Sequence, residues 1–577
     1  MAIIAENYGV VKRFVLIVMM TLTVSLASGQ EQDEVSAVMK IAGAGEEEQL
    51  SEQLMEHYAY MERHPLEINM ASSSKLLSSG LFSQYQIASL LDYRSHNGDI
   101  LSFEELSMVD GIGKDYAAAL RRYVSLYSPE LPGAVRHNSM TTEATARVAC
   151  KPGAWQEKGR VLIEYGDRLS GSASMTMDRV GFHLSYSGRR RLDRLVFGDY
   201  HAKFGQGLVL WSGFSMSGMS ATSSLYRRPS GISPSTSYSG TGLRGIATQL
   251  VFGKLRLALL SGVDWHKRKQ ELPDIRIGTN LSCFFRNGQT GVTAYSELPL
   301  GGTGWGISGD KAAESSAVQP SLRVGADSRF CIKGVDVFAE GAYDAVHGKV
   351  ACVGGLVFPV GNSRLGTVLR YYPSDWDKEL VGSVHTGTYS RDETAASVSY
   401  ELKSLVLCTD YYIKNSTGRQ QIKLTAMDEI KTGETISLKP RATVRLRTMG
   451  ERARYDLRND VVWMHGPWTI TIRLNWLHCL GNGWLSYLEG GYKTDRLSVY
   501  GRVTGFVVDH WDDRIYSYER DAPGSFNVPA YYGRGLSASF YAAWKPEIRK
   551  LRLKLYAAAY VKKPGSPGLR FQSTLDF

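Results

Sequence analysis

The residues best suited to chemistry lie in one short turn, Val109-Asp110-Gly111-Ile112-Gly113-Lys114. Glycines permit positive φ and close backbone approach. The turn leads into a helix start, where free N–H groups and the positive dipole end attract an anion. Gly111, Ile112 and Gly113 are therefore expected to hold a nucleic-acid phosphate through the backbone, a contact that positions without reading bases. Lys114, Arg121 and Arg122 stand ready to add charge. Residues 51–128 nevertheless hold ten acidic side chains against six basic ones, and non-specific nucleic-acid affinity comes mostly from neutralising phosphates. Two readings stay open: contact with DNA, or a hairpin that packs its own module and docks a partner.

A second set is cationic. Arg441, Arg445 and Arg447 alternate with Ala442, Val444 and Leu446, and Arg473 stands between Ile472 and Leu474. In a strand this period places the arginines on one face. On the inner face of a barrel they would favour anionic solutes or pair with carboxylates across a filled interior. Arg552 and Lys554, opposite Leu551, Leu553 and Leu555, read the same way. Arg514 and Glu519, with Arg520, sit in a Gly/Pro-bounded loop and read as a gate, a ligand contact or a structural loop. Asp509, Asp512 and Asp513 suit a hard cation by type, but their spacing fits no known loop.

Enzyme motifs are missing. There is no H-E-x-x-H, G-x-S-x-G or phosphate-binding P-loop. Ser72 to Lys75 fits S-x-x-K, yet lies in a Ser-rich helix start where capping explains it. His478 and Cys479 are adjacent on an expected strand and point to opposite faces. The six cysteines are scattered without C-x-x-C spacing, against a zinc site, while one or two disulfides stay open. No enzyme, metal site or cofactor is expected.

These residues need elements to position them. Lys12 and Arg13 precede an apolar run, Phe14 to Leu26, and small residues follow. This reads as a signal peptide, residues 1–27. Residues 28–50 read as an acidic linker, 51–128 as short helices, 129–157 as a second linker and 158–577 as β-structure. From about residue 158 the period becomes two: Ile470, Ile472, Leu474 and Trp476 alternate with polar neighbours, as do Leu536, Ala538, Phe540, Ala542 and Trp544. The chain closes on an amphipathic strand, Leu569 to Phe577. Mildly negative mean hydropathy suits a barrel wall, where every second residue is polar. The expected fold is α+β and multidomain, a small all-α module before a large antiparallel transmembrane β-barrel of roughly 16 to 24 strands. Abundant tyrosine and tryptophan suit aromatic girdles. The Ser/Gly-rich stretch 212–242 is long for a loop and reads as a lid, a plug or an outer loop.

Residues 66–123 resemble the tandem helix-hairpin-helix domain of competence-type DNA-binding proteins. The likeness rests on Ile68, Asn69 and Ala71; Leu76 and Leu77; Gln86, Ile87, Leu91, Tyr93, Arg94 and Gly98; Phe103, Glu105 and Leu106; and Gly111-Ile112-Gly113 with Ala117 and Leu120. In the first hairpin Ser78-Ser79-Gly80-Leu81-Phe82-Ser83 replaces the Gly-hydrophobic-Gly turn. The barrel region resembles helix-hairpin-helix outer-membrane proteins of Bacteroidota, through Phe197-Gly198-Asp199-Tyr200, Phe204 to Trp211, Leu243 to Ala247, and Arg514 to Glu519 with Pro523 to Phe526. The resemblance implies a cell-envelope location. With the export signal and the order of helices before strands, the expectation is an outer-membrane barrel among lipid whose helical module, in the periplasm, docks DNA or an envelope protein; a non-DNA scaffold and a channel for an anionic solute are the alternatives.

Overall fold

A computed structural model describes residues 34–576 except 46, 73–74, 77–78, 129–139, 152–153, 167, 189–190, 239–241, 264–273, 286, 299–320, 377–378, 388, 449–451, 549–550 and 564–566. The expected signal peptide and Phe577 lie outside the described residues, as do Leu77 and Ser78 of the first hairpin.

Alternating strands build a closed antiparallel barrel of 24 strands, the upper end of the expected range. It starts at Met140–Lys151 and ends at Gly568–Asp576, and these two strands pair to close the ring, Glu143 opposite Asp576 and Cys150 opposite Leu569. The wall thus begins earlier than residue 158. Strands Met140–Lys151 and Ala154–Tyr165 occupy much of what reads as a linker. The period of Met140–Lys151 is faint in sequence because small residues stand outside: Ala144 and Ala146 are turned away from buried Glu143, Thr145 and Arg147.

The two faces differ as lipid and water demand. On strand Trp468–His478, Ile470, Ile472 and Leu474 are exposed on the outside while Arg473 and Asn475 are buried within. Closure satisfies every ladder and leaves no open edge, the condition for crossing a bilayer with strands. Trp468, Tyr492 and Trp544 gather near one rim, and Trp155, Trp476 and Trp484 near the other, matching interfacial girdles. The barrel is of the outer-membrane type. At one rim strands join through tight turns such as Lys333–Gly334, where φ is 49° and 80°, the positive pair that a two-residue hairpin requires. At the other rim long excursions leave the wall, residues 204–242, 373–392 and 509–532. In barrels of this type short turns face the periplasm and long loops the exterior.

Before the wall come five described helices: α1 (Glu34–Ala42), α2 (Glu52–Arg63), α3 (Gln84–Asn97), α4 (Phe103–Met108) and α5 (Gly113–Leu120). Ser51 caps α2, Ser83 and Gln86 form a capping box on α3, and Ser102 caps α4. The Asn69 side chain bonds the Ile100 backbone in both directions at 2.9 Å. Leu66–Glu67 pairs in parallel with Val124–Ser125, drawing the ends of the module together. Ile68, Leu81, Phe82, Leu90, Ile100, Leu106 and Leu120 form its core, which Met216 of the first long loop joins.

Two expectations need correction. The acidic stretch read as a linker carries α1, whose Val35, Val38 and Ile41 are buried in that same core. The module also does not hang beneath the barrel as a separate body. It is seated in the lumen from the short-turn rim, packed against inward-facing wall side chains. Glu52 pairs with Arg147 and Lys158, Glu47 with Arg458 and Arg473, and Gln53 meets His201. Physically, a ring this wide encloses more volume than its own side chains fill, and the helices occupy it.

Candidate functional site: the plug seat

The seat is built around Glu47, in the short helical turn Glu47–Gln49 between α1 and α2. Arg458 and Arg473 face it from adjacent strands, Arg454–His465 and Trp468–His478. Their register places Asp460 opposite Arg473. Arg473 donates to Glu47 Oε1 at 2.8 Å and to Asp460 Oδ1 at 2.7 Å; Arg458 donates to the same Glu47 oxygen at 3.1 Å and to Asp460 at 2.6 Å. The Tyr518 backbone N–H donates to Glu47 Oε2 at 2.8 Å. Two guanidiniums thus face two carboxylates in a buried, neutral cluster. Burial opposes the Glu47 charge, but Arg473 and Arg458 outweigh it and hold the carboxyl well below the usual carboxylate range.

Contacts continue around α2 and the preceding loop. Glu52 Oε1 accepts from Arg147 at 3.0 Å and Lys158 at 3.1 Å. Arg441 donates to the Gly45 carbonyl at 3.1 Å. Gln49 donates to the Ser217 carbonyl at 3.0 Å and accepts from Ser220 Oγ at 3.1 Å.

From the opposite rim, loops fold inward over the plug. Arg227 is buried and donates to the carbonyls of Gly382 (2.7 Å), Met216 (2.7 Å) and Ser383 (3.0 Å) and to Ser215 Oγ (2.9 Å), joining residues 204–242 to residues 373–392. Its neighbour Arg228 donates to the Gly80 carbonyl at 2.8 Å, so the loop grips the helical module directly. Of the readings for 212–242, the inward cover is what the structure contains.

The expected site residues fall into three groups. Arg441 and Arg473 touch the plug; Arg447 is bonded to Gln421 at 2.9 Å, and Arg445 stands opposite Lys423 on the same wall face. Glu519 is buried within its own loop, accepting from Tyr531 and from Asn527 at 3.0 Å. Arg514 instead lies against Trp511 and Tyr516. Asp513 accepts from the backbone amides of Cys479, Leu480 and Gly481, so it holds a rim turn. Among the described residues no cluster of three metal-ligating side chains occurs.

The glycine turn makes the third group. Gly111 and Gly113 have φ of 79° and 70°. Gln86 donates to the Gly111 carbonyl at 2.7 Å; a Cβ on Gly111 would strike the Tyr85 ring at 2.5 Å, so packing as well as conformation demands glycine. Lys114 is exposed, Arg121 pairs with Glu104 at 3.5 Å, and Arg122 pairs with Glu62 at 3.2 Å. Asp115, in the first turn of α5, reaches Lys431 at the short-turn rim, which sets this turn at the short-turn mouth.

Sequence reasoning missed Glu47, Arg458, Asp460, Glu52 and Arg147. The signal for the first three was charge complementarity: an acidic run at 46–48 and inward arginines at matched strand positions.

No family model matches the chain, and no curated protein matches it. Among solved structures, the P pilus usher PapC translocation pore aligns with 76% of this chain and 99% of its own, at 9% identity and a TM-score of 0.35. OccK7 of Pseudomonas aeruginosa aligns with 76% of this chain and 96% of its own, at 8% identity and a TM-score of 0.29. A Rh. blastica porin mutant aligns with 46% of this chain and 94% of its own, at 12% identity and a TM-score of 0.25. At such scores the likeness adds nothing to what the strand ladder already establishes.

Proposed function

We propose that this protein is a self-plugged barrel of a bacterial outer membrane: its N-terminal helical module closes the pore and offers an exposed hairpin at the periplasmic mouth to an envelope partner. The observation that carries this reading is Glu47 locked between Arg458 and Arg473. A lock of this kind holds a plug in place and releases it only when the pairing is disrupted. Breaking a buried ion pair by removing one partner costs about 3–5 kcal/mol, enough to shift a seated plug toward release. In planar bilayers the intact chain is expected to be electrically silent, and Glu47→Ala to produce frequent openings. Sustained conductance by the intact chain would refute the reading.

A second reading keeps the resemblance to helix-hairpin-helix proteins. The Gly111–Lys114 turn, exposed at the mouth with two positive-φ glycines, supports contact with a phosphate backbone such as DNA. Arg121 and Arg122 are engaged with acidic neighbours, so Lys114 supplies most of the free charge. Full-length protein in detergent is expected to bind duplex DNA weakly at low salt and to lose that binding in Lys114→Glu. Absence of binding at low salt leaves the hairpin as a protein-docking or packing element.

A further inference from the structure

The helical plug does not fill the lumen evenly. A cavity of about 700 Å³ remains between α2 and the wall formed by the first two and the last five strands. It opens at the short-turn rim beside Thr141 and His64. Eight arginines and lysines line it against six carboxylates, so its balance is cationic. The acids are largely engaged: Glu62 with Arg122, Glu164 with His64, Asp521 with Arg570 and Asp576 with Lys554. Arg570 is not among the lining residues, so Asp521 spends its charge elsewhere.

Of the lining cations, Arg147, Arg520 and Lys554 are paired with Glu52, Glu489 and Asp576 at 3.0, 2.9 and 2.8 Å, whereas Arg160 is held less firmly. Arg160 has a side chain only 11% exposed, yet its contacts are long: 3.5 Å to Glu143 and 3.4 Å to the Thr236 carbonyl. Its Nε has no hydrogen-bond partner among the described residues. Arg552 is exposed at the rim and lines the cavity mouth with Lys554. Elsewhere in the lumen, Arg370, Arg473 and Arg502 each carry a carboxylate within 2.9 Å. Arg160 lines the water-accessible volume through a guanidinium whose polar contacts are long, so a ligand there can offer it shorter, charge-assisted hydrogen bonds.

We infer that this cavity is a binding site for a small oxyanion, a phosphate- or carboxylate-bearing molecule that enters from the short-turn rim, passes Arg552 and Lys554, and reaches Arg160. Charge-assisted hydrogen bonds from guanidinium to oxyanion are the strong class, and the exposed rim Arg552 raises the local anion concentration. Glu56 lies on the α2 side of the cavity and acts against the anion. It therefore makes the opposite prediction to the arginine. The inference rests on the seated plug, because α2 forms one wall.

The test is calorimetric titration of full-length protein in detergent with inorganic phosphate, glucose 6-phosphate and glucuronate, and with glucose as the uncharged control. Saturable binding of at least one anion and none of glucose is expected, with phosphate against carboxylate preference read from the three ligands. Arg160→Gln and the double variant Arg552→Ala/Lys554→Ala should each weaken it about tenfold or more, and Glu56→Gln should strengthen it. Lys414→Ala, in a turn at the far rim, should leave it unchanged. If Arg160→Gln does not fold, judged by the heat-dependent gel shift, the rim double variant decides. Seating is checked separately: Lys158 Nζ of the wall stands 3.1 Å from Glu52 Oε1 of the plug, so a zero-length carbodiimide cross-linker should form an isopeptide bond between them, mapped by peptide mass. A chain that forms it but binds none of the anions overturns the cavity site alone. A chain that does not form it overturns the seating and this inference together. Binding that ignores every lining substitution also overturns it.

Discussion

Glu47 is one carboxylate answering to two guanidiniums, and its behaviour with pH follows from that. Its folded pKa lies below its unfolded value, with burial acting against the charge and Arg473 and Arg458 overriding it. The stabilisation is therefore complete above the ordinary carboxylate range and is lost only as pH falls through the depressed folded value. Bilayer recordings of the intact chain should stay silent from neutral pH down through mildly acidic conditions and show openings only in strong acid; openings already present at pH 6 would contradict this. Arg227 makes a second residue-scale prediction. Arg227→Ala leaves carbonyls of Met216, Gly382 and Ser383 without their donor, at about 1–3 kcal/mol for each buried group left unsatisfied. The barrel should survive, but protease should cut within residues 204–242 of the folded chain, where the unaltered protein resists.

At the scale of elements, strands were legible where apolar residues mark the outer face and hidden where alanines do. Strand Trp468–His478 announces itself through Ile470, Ile472 and Leu474, and the inward direction of Arg473 follows from parity alone. Strand Met140–Lys151 shows the same geometry with Ala144 and Ala146 outside, and its period vanishes into a stretch that reads as linker. The turn at 109–114 was legible as a glycine-dependent turn; its packing against Tyr85 and Gln86 was not, because those residues are more than twenty positions away. α1 escaped notice because its run is short and its neighbours are acidic; tertiary burial of Val38 and Ile41 decides its fate rather than propensity. A prediction belongs here as well. Gly111→Ala forces a Cβ into the Tyr85 ring and strains a positive φ, so it should destabilise the module by roughly 1–3 kcal/mol. Faster amide exchange in α3 and α5, with the wall strands unaltered, would be the sign.

For the whole molecule, the placement of the helical module was the part that sequence could not supply. Nothing in a run of short helices says whether it hangs below a ring or enters it. That information is distributed over pairs such as Glu52 with Arg147 and Arg228 with the Gly80 carbonyl, each separated by about a hundred residues or more. Removal of residues 34–128 should convert a silent barrel into a conducting one while keeping heat-dependent gel migration. With Arg147, Arg458 and Arg473 stripped of their plug carboxylates, the pore should favour anions, measured as reversal potential in a salt gradient. An unchanged, silent trace from that truncated chain would mean that the inward loops alone close the lumen.

The seam between Met140–Lys151 and Gly568–Asp576 carries a consequence for biogenesis. Whatever lies inside the hoop when its first and last staves meet is enclosed there, and the segment that belongs inside precedes every stave in the chain. Either the amino-terminal helices are encircled as those two staves pair, or they enter afterwards through the short-turn rim, and in both cases the seam sets the width of the ring into which they must fit.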